Sequence, residues 1–302
     1  MVKRHLALFV VTAAACLSTA GLSAQASADP GRGAAHRQSV HSPDGQLAKA
    51  VHGKQLRGRR GAANDAPPAV NAPSTAGAGC PLRTAGQYFC HAGGYQYVVG
   101  DGAYMSTPVE SPVVASGDYH SLAELAVESS DGQQIIEIGW TVDPTQWDQQ
   151  PRLFIYHWVN GVGTCYNACG YVSNSSTITP GMVLTSSSTP VQFAIEYYQG
   201  NWWYGYNGTW FGYLPGSLWN GSYVQSGLVQ EFGEVAAGSA QPCTNMGDGY
   251  LGSNSAAAAV TGVGYYNSTS APNLSATMDD STLYSSQITS TSSFRYGGPG
   301  AC

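Results

Sequence analysis

Lysine disappears from this sequence after its first quarter: none occurs between Cys80 and Cys302. Residues 80–302 carry three arginines (Arg83, Arg152, Arg295) against fifteen acids, a net of −12. So acidic a surface excludes nucleic acid and anionic membranes as partners. It also suits an acidic medium, because a chain with few cations gains little positive charge when its carboxylates protonate. Other signatures are missing too. There is no Gly-rich phosphate loop, no Gly-x-Ser-x-Gly elbow, no His-Glu-x-x-His and no Cys-x-x-Cys. No metal or cofactor is therefore called for. Amphipathic helical patterning never runs beyond about three turns, and no internal repeat is visible. Past the N-terminus, no apolar run is long enough to span a bilayer.

What is present begins with an export signature. Met1-Val2-Lys3-Arg4 is a basic start, Leu6 to Leu17 is apolar, and Ala26-Ser27-Ala28 fits a small-residue cleavage site. Residues 1–28 are expected to be a signal peptide, and the protein secreted. Residues 29–79 carry seven basic and three acidic residues and are rich in Ala, Gly and Pro. They read as a basic propeptide or linker that could latch onto the acidic remainder. Outside the leader six cysteines remain: Cys80, Cys90, Cys165, Cys169, Cys243 and Cys302. An even number after an export signal suggests three disulfides. Proximity favours Cys80–Cys90 and Cys165–Cys169, which leaves Cys243–Cys302.

Residues 80–302 read as one all-β domain. Short β-branched and aromatic runs follow one another, among them Tyr95–Val99, Leu122–Val127, Gln134–Val142, Arg152–Val159, Gly181–Thr185, Val191–Tyr198, Trp202–Tyr206 and Gly227–Val235. Asp131-Gly132, Asn160-Gly161 and Asn207-Gly208 are hairpin-type turns. Pro215–Leu218 reads as a single helical turn. This spacing predicts a β-sandwich or jelly roll.

With metals and nucleophilic serines unsupported, carboxylates are the remaining reactive groups. In Gln133–Trp140, Ile136, Ile138 and Trp140 alternate on one face and leave Glu137 on the other, with Gly139 suggesting open space beside it. Glu234 sits in Leu228–Val235 between Gly233 and Val235, and Phe232 shares its face. Glu124, Glu128, Glu196 and Glu231 read as solvated side chains, and His157 as structural. Tryptophan and tyrosine are plentiful. Adjacent strand residues face opposite ways, so only one of Trp202 and Trp203 can line a groove. Trp202, Trp203, Tyr204 and Gln230 are the candidate substrate contacts, since rings bordering a cleft suit prolyl or sugar rings.

At these residues the chain resembles the neprosin family, secreted glutamic peptidases that cleave after proline. The matching stretches are Ile136–Trp140, Pro151–Tyr156, Cys165–Cys169, Gly200–Trp203 and Val229–Val235, in the family's order, with Thr244–Gly249 as a weaker match. The resemblance implies that Glu137 and Glu234 are the catalytic glutamates and that Cys165 is bonded to Cys169. It further implies a curved antiparallel β-sandwich with a cleft on its concave face. Two departures are visible. The segment before the domain is short and unlike the activation domain of plant members, and Phe232-Gly233 stands where relatives often have a glycine pair. The expected partners are proline-containing peptides and the chain's own propeptide, and the expected state is a monomer. Two rivals fit the same composition: a two-glutamate glycoside hydrolase on a jelly roll, and a non-catalytic carbohydrate-binding sandwich.

Overall fold

A computed structural model describes residues 40–46, 67–68, 70, 76–84 and 86–302. Residues 1–28, expected from sequence to be a signal peptide, and most of the basic segment 29–79 lie outside the described residues. The strands are β1 Leu82–Thr84, β2 Gln87–Tyr97, β3 Gly102–Val109, β4 Asp118–Glu128, β5 Ile135–Val142, β6 Arg152–Val159, β7 Val162–Gly163, β8 Val172–Ser173, β9 Ser187–Tyr198, β10 Asn201–Tyr206, β11 Thr209–Pro215, β12 Leu228–Ala237, β13 Ala259–Tyr266, β14 Ser275–Met278, β15 Ser285–Ser290 and β16 Ser293–Gly297. One 3-10 turn, Gly216–Trp219, falls where the sequence places a helical turn. No helix among the described residues is long and apolar enough to cross a membrane.

Two antiparallel sheets stack as a curved β-sandwich. The first runs β1-β2-β12-β4-β5-β6-β7, with β14 also paired to β2; the second runs β15-β16-β13-β3-β9-β10-β11-β8. The period-2 pattern explains the core between them. Leu125 and Val127 of β4, Ile136, Ile138 and Trp140 of β5, and Val229 and Val235 of β12 point inward. They meet Met105, Phe193, Ile195, Trp202, Tyr204 and Phe211 from the second sheet. The Trp140 indole would be costly to bury unpaired, and its Nε1–H donates to the Pro108 carbonyl at 3.0 Å. The opposite face of the first sheet carries smaller apolar clusters: Leu122, Phe154, Tyr156 and Tyr166, and beside them Ala126, Ile135 and Phe232. Trp158 packs against both.

The three disulfides pair as proximity suggested, Cys80–Cys90, Cys165–Cys169 and Cys243–Cys302. Asn160-Gly161 and Asn207-Gly208 have positive φ at both positions, as two-residue hairpin turns require. Some expectations need correction. Gly181–Thr185 forms no strand; Val183 makes a single bridge to Arg152. β2 begins at Gln87 rather than Tyr95. Its glycines weaken the strand signal, yet they are needed, because a Cβ on Gly93 would lie 2.2 Å from the Glu231 carbonyl oxygen.

Gly139 also departs from the sequence reading. The space beside Glu137 is not open: a Cβ at Gly139 would stand 2.0 Å from the Ala123 carbonyl oxygen and 2.8 Å from the Glu124 Cα. The missing side chain lets β4 press against β5. Gly139→Ala should therefore cost about 3 kcal/mol or more and lower the melting temperature by roughly 6–12 °C. A variant that melts with the parent would show that the two strands can separate freely at this point.

Candidate active site

β4 is the central strand of the site, flanked by β5 and β12. Registers fix the layout. Glu137 pairs with Ala126, which pairs with Gln230. Gly139 pairs with Glu124, which pairs with Phe232. Thr141 pairs with Leu122, which pairs with Glu234, which pairs with His91. Glu137 and Glu234 thus share the face turned away from the second sheet. They lie two strands apart and four residues apart along them, on the order of 15 Å between Cα positions on an ideal ladder. Glu124 occupies the intermediate position on the intervening strand.

Glu137 is fully buried, and its Oε1 accepts a hydrogen bond from Trp158 Nε1–H at 2.8 Å. Trp158 comes from β6, whose Tyr156 lies opposite Glu137. Glu234 is 2% exposed. Its Oε1 is 2.6 Å from His120 Nε2 and its Oε2 is 2.7 Å from His91 Nε2. His91 Nδ1 lies 2.8 Å from Asp279 Oδ2, and the same oxygen accepts the His91 backbone N–H at 2.9 Å. A histidine with a carboxylate on each ring nitrogen donates from both and is an imidazolium. Burial alone would lower the His91 pKa, but hydrogen bonds to Asp279 and Glu234, with their charges, carry it up to about 10. Burial alone would raise Glu234, but the two histidines hold it at about 2. Glu234 is an ionised carboxylate across the whole ordinary pH range, and two of its four lone-pair positions remain to bind water.

The neighbouring acids behave differently. Glu124 and Glu128, expected to be wet, are 3% and 6% exposed. Burial first, then the charges of Glu137, Glu234 and Glu128, lifts the Glu124 pKa well above the usual carboxyl range. Burial pushes Glu128 up to about 7, against a hydrogen bond from Gln230 Nε2–H at 2.5 Å. Glu231, also expected to be solvated, is fully buried on the core face. Glu196 is half-buried.

Of the residues proposed from sequence, the structure gathers Glu137, Glu234 and Gln230 on one face. Trp202, Trp203 and Tyr204 belong to β10 in the second sheet and do not join them. Trp202 packs in the core with its Nε1–H on the Tyr223 carbonyl, and Trp203 packs at a tilt against Tyr213. Tyr204 reaches only the Tyr156 carbonyl, from the core side. The rings on the carboxyl face instead include Tyr156, Trp158, Tyr166 and Phe232. Sequence reasoning missed the first three, and also His91, His120 and Glu124. The alternation Phe154, Tyr156, Trp158 was readable; its register against Glu137 was not. His157, expected to be structural, faces the other way, and burial lowers its pKa to about 4. No cluster of three or more His, Cys, Asp or Glu that could hold a metal ion occurs among the described residues.

Scytalido-glutamic peptidase, solved with a peptide-based transition-state analog, is 12% identical, covers 70% of this chain and 98% of its own, and superposes with a TM-score of 0.40. SCP-B, a member of the Eqolisin family of peptidases solved with a tripeptide, is 12% identical with the same coverage and a TM-score of 0.34. Lactose-liganded congerin II is 16% identical, covers 48% of this chain and 93% of its own, and scores 0.28. No curated protein sequence matches. The decisive match is to the Neprosin family model, over residues 117–299. That range holds Glu124, Glu137, Glu234 and His120 and spans more than half of the sequence, so the chain belongs to the Neprosin family of glutamic peptidases.

Proposed function

We propose that this protein is a secreted endopeptidase that hydrolyses peptide bonds after proline at acidic pH, using Glu137 and Glu234. The observation that carries the reading is the grip of His91 and His120 on Glu234. It supplies one permanently ionised carboxylate on a face where Glu137 is the partner acid. Glu234 takes a proton from water, and the water oxygen attacks the scissile carbonyl. Glu137, protonated, supports the developing oxyanion and then gives its proton to the leaving amine. The proton left on Glu234 returns to Glu137, and the pair is reset. A proline ring before the cut suits the Tyr156, Trp158 and Phe232 rings, because it buries well and has no N–H to leave unpaired.

In this reading residues 1–28 are removed on export, 29–79 form a propeptide, and 80–302 are the catalytic domain, acting as a monomer. The propeptide's net charge of +4 complements the domain's −12, so acid that protonates carboxylates weakens the association. One experiment tests both parts. The full chain is incubated at pH 4 with a quenched proline-containing peptide, a proline-free control and xylan, while its mass is followed. Cleavage after proline should appear together with loss of the N-terminal segment. Xylan hydrolysis without peptide cleavage would replace this reading with the glycosidase.

A further inference from the structure

Between the two glutamates lies a third acid that the two-glutamate scheme leaves unused. We propose that Glu124 is a further catalytic residue, a neutral carboxylic acid whose O–H donates to the carbonyl oxygen of the scissile bond. This inference rests on the peptidase reading above and assigns to Glu124 the oxyanion support that the two-glutamate scheme gives to Glu137.

Position is the first argument. Glu124 stands on β4, one strand from β5 and one from β12, and two residues along from the register of each glutamate. A peptide bond held between water on Glu234 and the proton of Glu137 must pass over β4 at Glu124. Gly139 stands directly opposite Glu124 on β5 and adds no side chain to this face; its missing Cβ lets β4 lie close against β5 at that point.

Availability is the second. The other carboxyls of this face are taken up, Glu137 by Trp158, Glu128 by Gln230 and Glu234 by His91 and His120. No described residue hydrogen-bonds Glu124. Its oxygens are nonetheless not among the sealed, unpartnered polar atoms, whereas those of Glu231 on the opposite face are. An acid that is 3% exposed, without a protein partner and still reachable is placed to meet a substrate.

Protonation is the third, and it follows from the surroundings. On its own strand Glu124 has Glu128 and His120. From the neighbours it faces Glu137 on β5, Glu234 on β12 with its histidines, and Tyr166 from the Cys165–Cys169 loop. Burial comes first and the ionised Glu234 carboxylate adds to it, and both favour the neutral form; Glu137 and Glu128 act with the same sign once they ionise. No described basic side chain forms an ion pair with it; His91 gives its two ring N–H groups to Asp279 and Glu234, and His120 Nε2 is on Glu234. Glu124 therefore keeps its O–H to higher pH than an ordinary carboxyl, at pH values where Glu234 is already ionised. A donor preorganised toward the oxyanion needs no proton transfer of its own, so the chemistry balances as before: water adds to the carbonyl carbon, the C–N bond breaks, and one proton passes from Glu137 to nitrogen.

The test compares Glu124→Leu and Glu124→Gln in the full-length protein, with kcat and KM on a proline-containing peptide from pH 2 to 8 and a thermal melt for each. Leu removes the donor without leaving a buried polar group. It should lower kcat by about 10² to 10³, with KM within a few-fold and no loss of melting temperature. Gln keeps a donor that cannot ionise. It should hold kcat within about tenfold of the parent and move the basic limb of the profile to higher pH by a unit or more. The proposal is overturned if Leu keeps kcat within tenfold, if Gln is as inactive as Leu, or if the basic limb stays in place in the Gln variant. Should the Leu variant fail to fold, the Gln profile decides alone. Inactive Glu137→Gln and Glu234→Gln beside an active Glu124→Leu would sink this inference and leave the two-glutamate reading standing. Active variants at 137 and 234 would sink that reading itself.

Discussion

Glu234→Gln should lower kcat on a proline-containing peptide by about three orders of magnitude, and Glu137→Gln by a similar factor. The two losses have different costs in stability, and that difference makes the pair diagnostic. Glutamine at 137 still offers a carbonyl oxygen to the Trp158 N–H, which now donates across 2.8 Å. The Glu137→Gln protein should melt within a few degrees of the parent while being nearly inactive. Glutamine at 234 has one acceptor oxygen for two histidine donors, and its NH2 group would face the other. His91, still an imidazolium on Asp279, then loses one of its two counter-charges in a fully buried site. Breaking such a buried pair costs about 3–5 kcal/mol, so Glu234→Gln should lose roughly 6–20 °C as well as turnover. Kinetics and melting curves on both variants check this. If either protein retains more than a tenth of the parent kcat, the dyad assignment is wrong. An unshifted melting temperature for Glu234→Gln would mean that His91 is not charged.

The sequence showed one side of this site and not the other. Strand existence and face came from period-2 runs such as Ile136, Ile138 and Trp140, and these do line the core. Order along the chain was also enough for the family resemblance and for the three disulfides. Register was not legible, and the site is a matter of register. Nothing local in Tyr88–Gly93 says that His91 will stand opposite Glu234, or that Asp279, 188 residues away, will close on its other nitrogen. Glu124 and Glu128 looked wet because alternating acids on a strand usually face solvent. Here that face is covered by the Tyr156, Trp158 and Tyr166 rings, which come from a later strand and a disulfide loop. The tryptophan-rich β10 misled for the reverse reason. Its rings are the largest in the chain, and large rings serve a two-sheet core as readily as a groove.

The protein should be more stable at pH 4.5 than at pH 8, and Glu231 should be the main cause. Its carboxyl is fully buried between the sheets with both oxygens unpartnered, and burial pushes its pKa up to about 8. A folded-state pKa above the unfolded one gives a stability that is complete below about 4.5 and is lost as pH rises to about 8. From 4.5 to about 8 that loss amounts to about 5 kcal/mol at most. Glu128 and Glu196, each raised to about 7 by burial, act with the same sign. His91 adds to it at the alkaline end, since its charge is lost as pH rises toward about 10. His157 opposes: held neutral with a pKa of about 4, it favours the fold above 6.5 and costs stability as pH falls. Glu234 opposes only further down, between 4.5 and about 2. Glu124, also raised by burial, acts with the same sign, and these raised acids outweigh one lowered histidine, so melting temperature should fall by roughly 10 °C between pH 4.5 and pH 8. Glu231→Gln, which cannot ionise, should recover most of that fall at pH 8 and change little at pH 4.5. A parent protein that melts higher at pH 8, or a Glu231→Gln profile parallel to the parent's, would show that Glu231 does not carry the effect. An unpaired acid can persist in the core because the fold pays for it only where the carboxyl must ionise, toward pH 8, while in acid it is buried as a neutral group.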